Sequence, residues 1–180
     1  MRAYVFRKLL KYFIKRTPGL FIGLELQILL EISKSSYKMP GKIIMFLPAE
    51  KALEEYVIFS VKCMESGKDG SDKLYPKAYA LGKKIRQITG FKKEEDLRQL
   101  IFWLYKNIRI TMKGELPGDL IIPKCYFSKF YTPAQCRLMS NVDAGVIAGI
   151  FGGGEFVFSE RITEGCGRCR ACFVKRSENE

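Results

Sequence analysis

Between Thr132 and Gly154 the chain reads TPAQCRLMSNVDAGVIAGIFGGG. Ala144, Gly145, Ala148 and Gly149 recur there at helical spacing, so they form a bare stripe along one side of a helix. Each glycine inside a helix costs about 1 kcal/mol relative to alanine. A helix that carries two of them one turn apart needs a neighbour at backbone distance: a sheet, a second helix or a ligand. Packing is the plainer of these explanations and a ligand the sharper. The segment also carries its own punctuation. Thr132 is a capping residue type, and Pro133 suits the first helical position. Gly152, Gly153 and Gly154 stop the helix. The segment reads as one helix, or as two with Asp143 capping the second.

Around this helix the patterning alternates between helical and extended periods. KIIMFLP, from Lys42 to Pro48, reads as a short buried strand. A helix follows with Leu53, Tyr56, Val57 and Val61 on one side, then a loop, GKDGSD, from Gly67. The next helix ends at Gly90 and turns Leu74, Ala78, Leu81 and Ile85 inward; a third turns Leu97, Leu100, Ile101 and Leu104 inward. IRITMK alternates as a strand, GELPGD turns the chain, and LIIPKCYF forms the second arm of a hairpin. EFVFSERIT is a further strand, and a cysteine segment closes the fold. These elements mix helices with hairpins and contain no repeated βαβ unit.

The chain has 180 residues, enough for one domain with a substantial core, and 47% of them are hydrophobic, which points to a globular protein. The longest apolar stretch, LFIGLELQILLEI, is interrupted by Glu25 and Glu31, so no membrane span is expected. The basic N-terminus lacks a clean apolar core and a cleavage site, and no signal peptide is read from it. A cytoplasmic protein with reduced thiols is the expectation. The net charge of +12 is spread along the chain and reads as a solvated lysine-rich surface; no nucleic-acid recognition pattern accompanies it. Histidine is absent. That excludes the Ser-His-Asp triad, the Cys-His dyad and every histidine-ligated metal site.

Chemistry must therefore come from cysteine, carboxylate, lysine, tyrosine or backbone groups. EGCGRCRACF, from Glu164, sets Cys166, Cys169 and Cys172 three residues apart, half of the protein's six cysteines. In a reduced compartment, and joined by Cys125 or Cys136, such a run can hold zinc or an iron–sulfur cluster. Residues three apart on a strand point to opposite faces, so not all three thiols can meet one ion unless the chain bends. Gly165 and Gly167 allow a bend around Cys166; Cys169 and Cys172 then sit on opposite faces. Cys136 lies in the first turn of its helix, where the helix dipole favours thiolate. Strand parity puts Glu160 on the face of Phe156 and Phe158, hence inward; an edge strand with Glu160 near solvent or paired to a lysine is the alternative.

The order of these pieces resembles the vinyl-4-reductase domain family, also called hydrocarbon-binding proteins. LYPKAYALGKKI is similar to that family's first helix. Cys136, the small-residue helix from Ala144 to Phe151, Glu160, the Gly165 or Gly167 turn and Cys169 or Cys172 follow in the family's order, across residues 42 to 176. The resemblance implies an α/β fold of the α+β type, an antiparallel sheet covered by helices, like the ligand-binding fold of NO-signalling and Golgi-transport proteins. It implies a homodimer. It also implies a zinc held by cysteines and a glutamate beside an aromatic-binding pocket. Cys136 and Glu160 match two such ligand positions. The third, three residues after the glutamate, is Thr163 here, and Cys166 with Cys169 or Cys172 could replace it. A more distant likeness is to the aminothiazoline-carboxylate hydrolases.

The expected organisation is an apolar and basic segment, 1–41, packed on a vinyl-4-reductase-like domain, 42–176, with a loose tail, 177–180. The expected function is a binding or sensing module for a small hydrophobic or aromatic molecule, with a metal site drawn from Cys125, Cys136, Glu160, Cys166, Cys169 and Cys172. Zinc is the first expectation for the metal and an iron–sulfur cluster the second. The ligand pocket is expected between helices and sheet, lined by Phe102, Trp103, Phe130 and Tyr131 and reached beside Gly145 and Gly149. An iron–sulfur reductase or small-molecule hydrolase is the alternative, with Asp143, Glu160 and the thiols as its only candidate groups; a protein-interaction module is the other.

Overall fold

A computed structural model describes residues 49–65 and 71–176. The expected strand at 42–48, the packing of segment 1–41, the loop at 66–70 and the tail at 177–180 lie outside the described residues. Within them the fold is α+β, as the patterning implies. Helices α1 (Ala49–Glu65), α2 (Ser71–Thr89) and α3 (Glu94–Asn107) lead to the hairpin of β1 (Ile110–Gly114) and β2 (Gly118–Cys125). A 3-10 turn (Tyr126–Lys129) then precedes α4 (Pro133–Phe151). The chain ends in β3 (Glu155–Glu160), a second 3-10 turn (Ile162–Glu164) and β4 (Cys169–Val174). The four strands form one antiparallel sheet in the order β1-β2-β4-β3.

The inward faces of the helices are those the periodicity marks. Leu97, Leu100, Ile101 and Leu104 of α3 are buried, as are Leu53, Tyr56 and Val57 of α1 and Leu74, Ala78 and Leu81 of α2. On the sheet, Ile110, Leu120, Ile122, Phe156, Cys169, Ala171 and Phe173 turn into the same core. Asp119, Arg170 and Val174 alternate outward.

α4 is one helix, not two. Thr132 caps it through a reciprocal pair: its hydroxyl accepts from the Gln135 N–H at 3.3 Å, and its own N–H donates to Gln135 Oε1 at 2.9 Å. Gly152 ends it in the left-handed conformation at φ 87°. Asp143 therefore sits in mid-helix rather than at a cap.

The bare stripe of α4 meets α2. A Cβ placed on Gly149 would lie 2.2 Å from Tyr79 O and 2.8 Å from Lys83 N, and one on Gly145 would lie 2.6 Å from Tyr75 O. Gly82 answers from the other side, where a Cβ would lie 2.2 Å from Val146 O. The two backbones touch, and the touching atoms are main chain, which cannot swing aside. Helix packing, not ligand room, accounts for the glycines. This corrects the expectation that Gly145 and Gly149 open onto a pocket between helices and sheet, because the α2 backbone occupies that space; Gly149 lines instead a recess where α2 and α4 end.

Gly149→Ala would gain about 1 kcal/mol of helix propensity, but overpacking against rigid backbone costs about 1–3 kcal/mol or more. The clash wins here because no side-chain motion relieves it. Gly149→Ala is expected to lower the thermal midpoint clearly, whereas Gly167→Ala, with nothing within 4 Å of its added Cβ, should leave it nearly unchanged. Thermal melting of the two variants checks this, and equal midpoints would contradict it.

Candidate functional site

The N-terminal half of α4 faces away from the glycine contact and into a cavity. Cys136, Met139, Val142 and Asp143 line it from α4; Tyr56, Ile108, Ile110, Cys125, Phe127 and Tyr131 complete most of the wall. Its volume is about 50 Å³. That accommodates a few waters or a very small molecule, since one water needs roughly 10–15 Å³. The aromatic wall is tied together: Phe127 stacks on Tyr131 at 5.7 Å between ring centroids, and the Tyr131 hydroxyl shares a 2.7 Å hydrogen bond with the buried Ser60 hydroxyl.

Asp143 is the polar centre of this wall. Protein surrounds its carboxyl, and the surface it keeps fronts the cavity. Tyr105 donates to Asp143 Oδ1 at 2.9 Å. Burial disfavours the charged carboxylate and raises its pKa from 3.8 to about 7, while the tyrosine hydrogen bond works weakly in the opposite direction.

Three thiols lie within electrostatic reach of this carboxyl. Cys125 is pushed up to about 12 by burial, although the Phe127 and Ser128 N–H groups favour its thiolate. Cys136 and Cys169 are raised by burial as well, and the charges of Asp143, Cys136 and Cys169 oppose one another. Cys169 comes from the inward face of β4 and accepts from the Ile162 N–H at 3.4 Å. The expectation that the α4 dipole makes Cys136 a thiolate is thus corrected: desolvation outweighs the dipole, and the thiol stays protonated. Thr163 stands beside Cys136 and favours its thiolate slightly, yet its buried hydroxyl makes no hydrogen bond of ordinary geometry among the described residues.

The other expected ligands go elsewhere. Ser159 is an extra residue in β3: Phe158 pairs with Ala171 and Glu160 with Arg170, with a bulge between them. The bulge reverses the parity, so Glu160 faces outward, 39% exposed, paired with Arg170 at 3.3 Å and Arg168 at 3.8 Å. This corrects its inward placement. Cys172 lies on the outer face beside Asp119, opposite to Cys169 as strand parity requires. Cys166 is half-buried in the bend that Gly165 makes at φ 89°. Among the described residues, no group of three or more cysteine, aspartate or glutamate side chains is disposed to hold a metal ion.

Of the expected pocket residues, only Tyr131 lines the cavity. Phe102 and Trp103 are half-buried against the core, and Phe130 is 45% exposed. Sequence reasoning named Asp143 as a candidate group but missed its burial in the wall and Tyr105 as its partner. The signal was present: Cys136, Met139 and Asp143 follow at spacings of three and four, which places them on one helix face.

No protein-family model matches the chain, and no curated protein matches it. A vinyl-4-reductase family protein from Methanocaldococcus jannaschii, known from its crystal structure, is similar over 84% of this chain and 92% of its own, at 13% identity and a TM-score of 0.39. Among the described residues no helix is long and apolar enough to cross a membrane.

The raised pKa of Asp143 has a stability consequence. Between 3.8 and about 7 the folded chain holds a proton that the unfolded chain releases. The stabilisation is complete below the lower value and lost as pH climbs through the upper one, a change on the order of 4 kcal/mol. Asp143→Asn keeps the shape and removes the titration. The thermal midpoint of the wild type, relative to that of Asp143→Asn, should fall from about pH 4 to about pH 7.5. A difference that stays flat or rises would show that the carboxyl is ionised throughout.

Proposed function

We propose that this chain is a binding or sensing module for a small, mostly apolar molecule, with Asp143 as the polar anchor of its site. The observation that carries the reading is the cavity that sets a buried carboxyl, titrating near neutrality, and two protonated thiols, Cys125 and Cys136, inside an aromatic and aliphatic wall. Small-molecule sites are usually apolar with a few polar groups that fix orientation. A protonated Asp143 offers one hydrogen bond to a neutral hydroxyl or carbonyl, and the rings of Tyr56, Phe127 and Tyr131 suit the apolar body. The volume of about 50 Å³ falls short of one ring, so a one-ring compound enters only if the wall opens, with Met139 as its adaptable part, and isoprenoids are disfavoured further. The order of sequence motifs supports membership of the vinyl-4-reductase family on the same terms, and with it a homodimer.

A carboxyl that titrates near neutrality also suits a general acid or base, so a hydrolase or reductase would use the same site. Its thiols, held protonated by burial, are poor nucleophiles, which favours binding over catalysis.

The test is thermal melting with a panel of one-ring alcohols, phenols and aldehydes, because a ligand that binds the folded state raises its midpoint. At least one compound should shift the wild type and fail to shift Asp143→Leu, which removes the anchor and fills the cavity. No shift with any compound would count against the reading. Elemental analysis of anaerobically purified protein runs alongside. One equivalent of zinc or iron, lost in Cys136→Ser, would replace the small molecule with a metal centre.

A further inference from the structure

One stretch of the wall of the Asp143 cavity is a single turn thick. Phe127, Ser128 and Tyr131 line the cavity, whereas Lys129 and Phe130, which lie between them in sequence, are exposed to solvent. The 3-10 turn and the two residues after it therefore carry the cavity on one side and water on the other.

Most of the other wall is harder to displace. α4 is fixed by the backbone contact of Gly145 and Gly149 with α2. Ile110 and Cys125 pair with each other in the β1–β2 ladder, where displacement breaks paired hydrogen bonds. The hydrogen bonds that shape the turn are local to it. Ser128 Oγ donates to Cys125 O at 2.7 Å, and the Phe130 and Tyr131 N–H groups donate to Phe127 O at 3.0 and 3.1 Å. The turn can swing as a body without losing them. Its two ends fall at the end of β2 and at the Thr132 cap of α4, and element ends are where hinges form.

Side chains tie the turn to α1. The Tyr131 hydroxyl lies 2.7 Å from Ser60 Oγ, and Ser60 also donates to Val57 O at 3.0 Å. A serine hydroxyl has one proton, so Tyr131 is the donor in the shared bond. The Phe127 ring meets Tyr56 at 5.4 Å between centroids.

We propose that the turn from Tyr126 to Tyr131 is the gate of the Asp143 cavity, with the Tyr131–Ser60 hydrogen bond as its latch. The inference rests on the binding reading above: a one-ring compound needs an opening, and this stretch of wall supplies it. Opening the gate brings the thiols of Cys125 and Cys136 into contact with water. Cys169 is buried on β4 and is not among the described lining residues, so it stays covered.

Iodoacetamide labelling of the full chain, resolved cysteine by cysteine in mass spectrometry, tests this without any ligand. Tyr131→Phe keeps the ring and removes the latch. A net hydrogen bond corresponds to roughly two- to tenfold in an equilibrium, so alkylation of Cys125 and Cys136 at fixed pH should rise by about that factor. Ser60→Ala removes the latch from the α1 side and should act alike. Rates at Cys169, and at Cys172 on the outer face, should stay near those of the wild type. Unchanged rates at Cys125 and Cys136 in both variants would overturn the proposal, even if a compound of the melting panel binds. An equal rise at Cys169 would overturn it too, because the whole core would then be loosened. Faster labelling of Cys125 and Cys136 alone supports the gate, and does so even if no compound of the panel binds and the binding reading falls.

Discussion

The contact between the α2 and α4 backbones sets the rest of the structure. At Gly82 and Gly149 the nearest atoms across the interface are carbonyl oxygens, amide nitrogens and α-carbons, and at Gly145 they are the Tyr75 carbonyl, the Ala78 methyl and the Tyr79 amide. Such a contact fixes the distance and rotation of α4 more narrowly than interdigitated side chains can, because main chain has no rotamers to exchange. With that side of α4 spent on α2, the opposite side is committed to the sheet and to α3. Cys136, Met139 and Asp143 consequently face inward, and a carboxyl that would normally seek water is held against Tyr105.

Burial then decides the chemistry. A helix N-terminus favours thiolate at Cys136 by a fraction of a kcal/mol to about 1 kcal/mol at exposed positions. Desolvation acts the other way and is the larger effect at Cys125, Cys136, Cys169 and Asp143 alike. A charged Asp143 would further disfavour thiolate at Cys125, Cys136 and Cys169, while Arg161 works the other way at Cys136 and Cys169. The site as it stands sets protonated thiols and a carboxyl that titrates near neutrality in an apolar wall.

Much of the fold was legible in the sequence, because periodicity reports burial directly. Leu97, Leu100, Ile101 and Leu104 mark the buried face of α3, and Thr132 with Pro133 marks the start of α4, since caps and apolar stripes are local signals. The site was less legible. Glu160 was misplaced because one extra residue, Ser159, reverses strand parity, and a bulge leaves no trace in composition. The opposed faces of Cys169 and Cys172 were readable because that stretch of β4 is regular. Asp143 was hidden by its residue type: an aspartate beside small residues looks like a cap, and only the continuity of α4 shows it to be buried. Gly145 and Gly149 signalled a close neighbour without saying which one.

The central claim is that Asp143 is buried against Tyr105 in the cavity wall and titrates near neutrality. Carbon-13 NMR of its side-chain carboxyl across pH measures this directly. The account requires a titration midpoint near the value of about 7 that burial imposes, and a shift of that midpoint in Tyr105→Phe to higher pH, because the lost hydrogen bond favoured the charged form. A midpoint at the ordinary aspartate value near 3.8 would contradict it, since the carboxyl would then be solvated and the cavity open to water.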